Sequence, residues 1–347
     1  MRRSLSHIAF LILLISGISK AQDYQFTQFY AAPLYLNPAF AGSSDWARAN
    51  VLYRMQWPAA AAKFTTMYAS FDQNIPQIRS GAGLLVSRDV QGSARLSTTS
   101  VMGQYAYRLN INRKWAFRAG AGVGYSWLSI DGSALTLREN IDNQTGSISN
   151  TAASLVNFEN RRFFDVVAGG LLYSSKAWVG TSVRHINQPD MTVVTGGAQK
   201  LPLYLSVHGG YQIPLFPGMQ YRKGADVRPS FISPAFHFKK QAKFMQLDLG
   251  AYYYYDFLTF GAWYRGIPVV KKETVTITNH DAFSILAGYR WKGLSIAYSY
   301  DITISPLSTL NTGGAHEISM IYEFEYAFNP IKGRPPKDQR LIPCPRF

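Results

Sequence analysis

Most of this chain is written in segments of roughly ten residues in which large apolar side chains alternate one by one with small or polar ones. Leu294, Ile296, Tyr298, Tyr300 and Ile302 interleave with Ser295, Ala297, Ser299, Asp301 and Thr303. Trp115, Phe117, Ala119, Ala121, Val123, Tyr125 and Trp127 do the same against Arg118, Gly120, Gly122, Gly124 and Ser126, with aromatics at both ends of the apolar face. A repeat of two is the repeat of a β-strand, whose successive side chains point to opposite faces. Such segments fall near 46–56, 62–72, 79–90, 94–109, 113–128, 161–174, 176–187, 200–213, 227–239, 243–255, 256–266, 280–291, 292–303 and 314–327, about 14 in all. Strands of a soluble β-sandwich, the rival all-β reading, are usually shorter; these are long enough to cross hydrocarbon at a tilt. The pattern predicts an all-β fold, a transmembrane antiparallel β-barrel of about 14 strands with its apolar face turned to lipid.

Composition agrees. Charged residues make up 16% of the chain and aromatics 14%, with 22 Tyr, and the mean hydropathy is -0.08, as expected of a sheet whose two faces meet different surroundings. The one continuous apolar run, Ile8 to Ile18, follows Arg2 and Arg3 and precedes Ser19-Lys20-Ala21. It reads as a secretory signal peptide over 1–21, cut near Ala21, with the exported protein bound for the outer membrane. Losing Arg2, Arg3 and Lys20 takes the formal charge from +15 to +12. For an exported protein that balance points to anionic lipid or an acidic protein surface, and nucleic acid is not expected.

Connection lengths bear on orientation. Asn110–Asn112, Ser174–Ser175, Tyr255–Asp256 and Lys292–Gly293 are tight, while 129–160, 187–199, 267–279 and 305–313 are long. Short periplasmic turns and long outer loops are the rule for such barrels, with 214–225 as the exception here. Residues 22–45 precede the 46–328 barrel and a Pro-rich tail, 329–347, follows it; both are expected on the periplasmic side.

No enzyme chemistry is visible. Cys344 is the single cysteine, so no internal disulfide, redox pair or Cys-rich metal site is available. None of His7, His185, His208, His237, His280 and His316 makes a metal-binding spacing, and no nucleophile elbow or phosphate loop occurs. A triad of His316, Asp301 and Ser305 at a loop mouth is a remote alternative to solvated polar residues. No catalytic, metal or cofactor site is expected.

Specific stretches resemble the PorP/SprF family, outer-membrane proteins of the type IX secretion and gliding system: QDYQFTQFYAAPLYLNPAFAGS from Gln22, YRMQWP from Tyr53, YASFDQ from Tyr68, YSYDITISPL from Tyr298, GGAHEISMIYEF from Gly313 and CPRF from Cys344. The resemblance covers nearly all of the exported chain. It implies a non-enzymatic barrel that supports secretion or surface attachment of a large partner adhesin with a C-terminal sorting domain, together with subunits of the secretion machinery. By the same resemblance Cys344, Pro345, Arg346 and Phe347 are the first candidate for contact with that machinery. The alternative is a transport barrel, porin-like or fatty-acid-transporter-like, because Asn-Pro-Ala also occurs in the N-terminal hatch of fatty-acid transport barrels.

Three further groups of residues are singled out. Asn37, Pro38, Ala39, Phe40 and Gly42 form a turn that tucks the N-terminal segment into or under the barrel as a plug, since the aromatics around it need burial. Closure pairs the first strand with the last, and alternation puts Arg48 and Arg54 on one face and Glu317, Glu323 and Glu325 on the matching one. Arg54 is therefore expected to meet Glu317, and Arg48 to meet Glu323 or Glu325, in a polar lumen; exchanging Arg54 and Glu317 is then expected to rescue either single change. Tyr322, Phe324, Tyr326 and Phe328 resemble an outer-membrane assembly signal, here followed by a tail.

Overall fold

The computed structural model describes residues 23–44, 46–60, 62–131, 159–193, 199–215, 230–266, 280–304 and 312–324. The expected segments become strands with shifts of a few residues at their ends: β1 (Ala47–Gln56), β2 (Phe64–Ile75), β3 (Ser80–Gln91), β4 (Leu96–Asn110), β5 (Ala116–Ser129), β6 (Arg161–Tyr173), β7 (Ala177–Arg184), β8 (Tyr204–Tyr211), β9 (Ile213–Pro214), β10 (Ser230–Gln241), β11 (Phe244–Tyr255), β12 (Leu258–Gly266), β13 (His280–Trp291), β14 (Leu294–Thr303) and β15 (Ala315–Phe324). The two-residue β9 continues β8 past Gln212 and pairs with the same neighbour, β10, so the wall has fourteen staves.

Each stave pairs antiparallel with the next in sequence, and β1 pairs with β15 from Ala47 opposite Phe324 to Gln56 opposite Ala315. No edge is left free, which is what lets a sheet stand in lipid. Alternation sorts the two faces: in β1, Arg48, Asn50, Leu52 and Arg54 are buried toward the lumen while Val51 and Tyr53 are exposed outward. Ala47 and Phe324 share one end, where the turns Pro76–Ile78 and Lys292–Gly293 are short; the long 130–160 and 267–279 connections lie at the other. That asymmetry makes the Ala47 end periplasmic. The outer end also holds tight turns, at 92–95 and 242–243.

Residues 23–44 lie inside the barrel. Three single turns build the segment: Phe29–Ala31, Pro33–Leu36 and Pro38–Phe40. Pro33 and Pro38 each open a turn and, lacking an N–H, prevent the three from joining into one helix. Phe26, Phe29, Tyr30, Leu34, Leu36 and Phe40 are almost wholly buried, packed with inward side chains such as Leu52, Tyr68, Met102, Trp178, Tyr252 and Trp263. The middle of the lumen is thus apolar, filled by the side chains of the segment, and the expected polar character is confined to the charged groups around it. Burying each large side chain contributes about 1.5–3 kcal/mol.

The segment sits close to the wall because glycine faces it there. A Cβ on Gly120 would collide with the backbone of Pro38 and Ala39, and one on Gly169 with the amide oxygen of Asn37. We expect Gly169→Val to displace the segment and cost on the order of 1–3 kcal/mol through overpacking. Gly103→Val, which meets open space, should be neutral. Protease sensitivity of residues 23–44 in reconstituted barrels distinguishes the two.

Candidate functional site

An irregular segment inside a barrel has no ladder to satisfy its backbone, so its polar groups need partners from the wall. Four anchors supply them. Near the outer end, the Glu317 carboxylate accepts two successive backbone N–H groups, from Gln28 at 2.7 Å and Thr27 at 2.9 Å. The Gln28 side chain completes the grip, donating to Ser299 Oγ at 3.1 Å and to the Glu317 carbonyl at 3.0 Å while accepting from Ser319 Oγ at 2.6 Å.

Toward the periplasmic end, Asp72 accepts the Gly42 N–H at 2.9 Å, and Arg48 holds that carboxylate with two bonds of 2.9 Å each. Arg118 donates to the carbonyls of Ala39, at 2.9 Å, and Ala41. Between them lies Asn37, fully buried and saturated. Its Oδ1 accepts the Ala39 N–H at 2.9 Å, capping the Pro38–Phe40 turn, and its Nδ2 donates to the carbonyls of Gly170 and Thr181 at 3.1 Å. Phe40 stacks on His208 at 5.4 Å. Gly42 has φ of 63°, and a Cβ there would strike Gln73 and Gly81, so only glycine turns the chain out toward β1.

The fourth anchor is Asp23, at the outer rim. It pairs with Arg184 at 3.3 Å and with His185 Nε2 at 2.8 Å, while His185 Nδ1 faces Asp165 at 2.9 Å. Burial alone would depress the imidazole, but the charge of Asp23 and the hydrogen bonds of both carboxylates carry it from 6.5 up to about 9. Burial opposes ionisation of Asp23 as well, yet the charges of His185 and Arg184 hold it well below the usual carboxylate range.

The Arg54–Glu317 ion pair forms at 3.0 Å across the β1–β15 seam. It belongs to a longer chain of charge: Lys239–Asp248 at 2.8 Å, Asp248–Arg265 at 3.7 Å, Arg265–Asp301 at 3.2 Å and Asp301–Arg54 at 2.8 Å. Three cations alternate with three carboxylates, and the Thr27 hydroxyl sits among them, accepting from Arg54 at 2.7 Å and Arg265 at 2.8 Å and donating to Asp301. Arg48 stands opposite Glu323 in register, but its ion pair is with Asp72 on its other neighbour; Glu323 takes Arg290 at 3.0 Å and the Ser44 hydroxyl at 2.6 Å. Tyr322 is exposed on the lipid face, and Phe324 stacks on it at 5.3 Å. Glu325, Tyr326, Phe328, Cys344, Pro345, Arg346, Phe347, Ser305 and the 1–21 leader lie outside the described residues.

The triad alternative fails on geometry. His316 is on the lipid side, its Nδ1 2.8 Å from the Tyr298 hydroxyl, while Asp301 points into the lumen. Among the described residues no His, Cys, Asp and Glu are grouped to hold a metal.

A closed fourteen-stave barrel with a lipid-facing apolar belt and a tethered internal segment is an outer-membrane β-barrel protein. The model of a family described as type IX secretion system membrane protein PorP/SprF matches residues 18–322, and the chain belongs to that family, whose members are non-catalytic. It thereby associates with type IX secretion components and with membrane lipid. No curated protein matches it. Solved structures similar to it include the Ralstonia pickettii toluene transporter TbuX (13% identity over 85% of this chain and 94% of that one, TM-score 0.46). Others are a Pseudomonas aeruginosa FadL homologue (13%, 83% and 93%, 0.42) and the Acinetobacter baumannii outer membrane protein Omp33 (10%, 81% and 99%, 0.39).

Two expectations follow. Because Glu317 holds two backbone N–H groups besides Arg54, the exchange Arg54→Glu with Glu317→Arg should not restore assembly, contrary to a simple two-residue pair; Glu317→Gln should cost about 3–5 kcal/mol, as when a buried ion pair loses one partner. Folded-barrel mobility on gels after graded heating reads both. Second, a site that raises a histidine contributes fully below its ordinary value and loses that contribution as pH climbs through the raised one. The Asp23 anchor should therefore hold at pH 6.5 and weaken through about 9, seen as faster cleavage near residue 23 in alkali, with His185→Asn flattening the profile.

Proposed function

We propose that this barrel is a scaffold and not a conduit: it supports secretion or surface attachment of one large adhesin bearing a C-terminal sorting domain, as a component of the type IX secretion and gliding machinery. The observation that carries the reading is the lumen, filled by residues 23–44 and tied to the wall at both ends by Glu317 and Asp72. A barrel whose bore is occupied by its own backbone works through its surfaces. The outer connections, of which 130–160 is the longest, are the docking surface for the adhesin. The tail ending in Cys344-Pro345-Arg346-Phe347 makes the periplasmic contact with the machinery, and the leader is removed near Ala21.

Affinity isolation of the intact protein from its native envelope is expected to recover secretion-machinery subunits and a single giant surface protein. Recovery of the barrel alone would overturn the reading. Planar-bilayer recording separates it from the transport alternative: the scaffold should show no steady ion conductance, and open channels of uniform size would favour transport.

A further inference from the structure

Among the described residues, three exposed cations share one groove on the lipid side. At the outer ends of β2 and β3, Lys63, Arg88 and Arg95 rim a groove of about 560 Å³ walled by Thr65, Met67 and Val90. All three cations are exposed, and among the described residues none of their side chains has a hydrogen-bond or ion-pair partner. The neighbouring Asp89 points the other way, into the lumen, where it accepts from Thr66 at 2.6 Å. Asp131 is a carboxylate beside the same turn, its backbone N–H donating to the Ala94 carbonyl at 3.1 Å.

The position of the groove defines what it meets. Arg88 stands opposite Met67, and Val90 opposite Thr65, on the outward face of the wall. Arg88 lies three residues before the strand ends at Gln91, so its Cα is roughly 10 Å below the outer rim along the strand. An arginine facing lipid costs about 2–4 kcal/mol at the midplane and about 0–1 near the interface, so a long guanidinium here reaches up to headgroup level. Three cations lining one groove make a positive potential that favours an anion between them. Below them the same face carries exposed Leu84 and Val86 beside Met67, a surface for acyl chains.

We propose that this groove binds the phosphorylated headgroup of an outer-leaflet glycolipid, with Arg88 and Arg95 chelating phosphate oxygens, Lys63 adding a point charge, and acyl chains lying along Met67, Val86 and Leu84. Planar guanidinium groups bind phosphate in bidentate fashion, which is stronger and more directional than a single contact. The site needs both halves of such a molecule: charge for the rim and hydrocarbon for the wall beneath it.

The test uses the full chain in phosphatidylcholine nanodiscs carrying bisphosphorylated lipid A, dephosphorylated lipid A, or no glycolipid with added inorganic phosphate. Bound glycolipid is counted by native mass spectrometry after release into mild detergent. We expect the wild type to retain the bisphosphorylated form at least about tenfold better than the dephosphorylated one, equivalent to about 1.4 kcal/mol. Lys63→Ser/Arg88→Ser/Arg95→Ser should lose that preference, while Lys240→Ser/Lys243→Ser, at the outer end of the β10–β11 hairpin, should keep it. Equal retention by the triple variant and the wild type would overturn the site. Retention indifferent to phosphate would reduce it to acyl packing, and inorganic phosphate binding as tightly as lipid A would make it a free-anion site; either result also overturns the proposal.

Discussion

The constraint on which the structure turns is the cost of irregular backbone at membrane depth. Residues 23–44 form neither a ladder nor a long helix, so every buried N–H and C=O of the segment that lacks a local partner needs one from the wall, or it costs free energy comparable to a lost hydrogen bond. The division of labour is simple. Carboxylates, Glu317 and Asp72, take N–H groups; a guanidinium, Arg118, takes carbonyls. The wall is a barrel first, but its lumen face is also a mould whose donors and acceptors match one particular chain.

Charge in such a lumen is expensive in isolation and tolerable in sequence. The line Lys239, Asp248, Arg265, Asp301, Arg54, Glu317 alternates in sign and crosses from β10 to β1 without a net charge. Buried ion pairs are weak evidence of stability, since desolvation offsets most of the attraction. What this one supplies is position: Thr27 fits only where Arg54, Arg265 and Asp301 present their hydrogen bonds together. The apolar side chains of the segment contribute the bulk of the burial energy, and the charges decide the depth at which it docks.

Much of this was legible from the residues, for identifiable reasons. The period of two and the turn spacing define the staves, because a face buried against lipid and a face buried inward leave opposite signatures at every position. The Arg54–Glu317 meeting was expected from closure and strand direction, since antiparallel pairing of the first and last strands puts their arginines and acids on one face; a slip of two residues keeps that face, so the register itself came only with the structure. Arg48 shows the limit of that reasoning: each stave has two neighbours, and the carboxylate that holds it, Asp72, is on β2 and not on β15. Links such as Arg54 to Asp301 skip a stave across the curved wall, which strand pairing does not reveal. The glycines on the inner face of β5 were visible as small residues, and their use, admitting the backbone of Pro38 and Ala39, appears only once the segment is inside. Asn37-Pro38 read correctly as a turn, but the carbonyls it binds come from β6 and β7, far along the chain.

The seam at Glu317 also imposes an order in time. Thr27 is made early and its acceptor 290 residues later, in the stave that is synthesised last. Asp72 on β2 and Arg184 and His185 at the end of β7 can hold Gly42 and Asp23 without β15; the Thr27–Gln28 corner and the closed wall both wait for it, and one carboxylate completes the two together. Seating that corner and closing the wall are therefore one step, and a barrel that shuts without its segment would have to leave Glu317 and Arg54 facing an empty bore. The last strand acts as a proofreader of where Thr27 and Gln28 have come to rest.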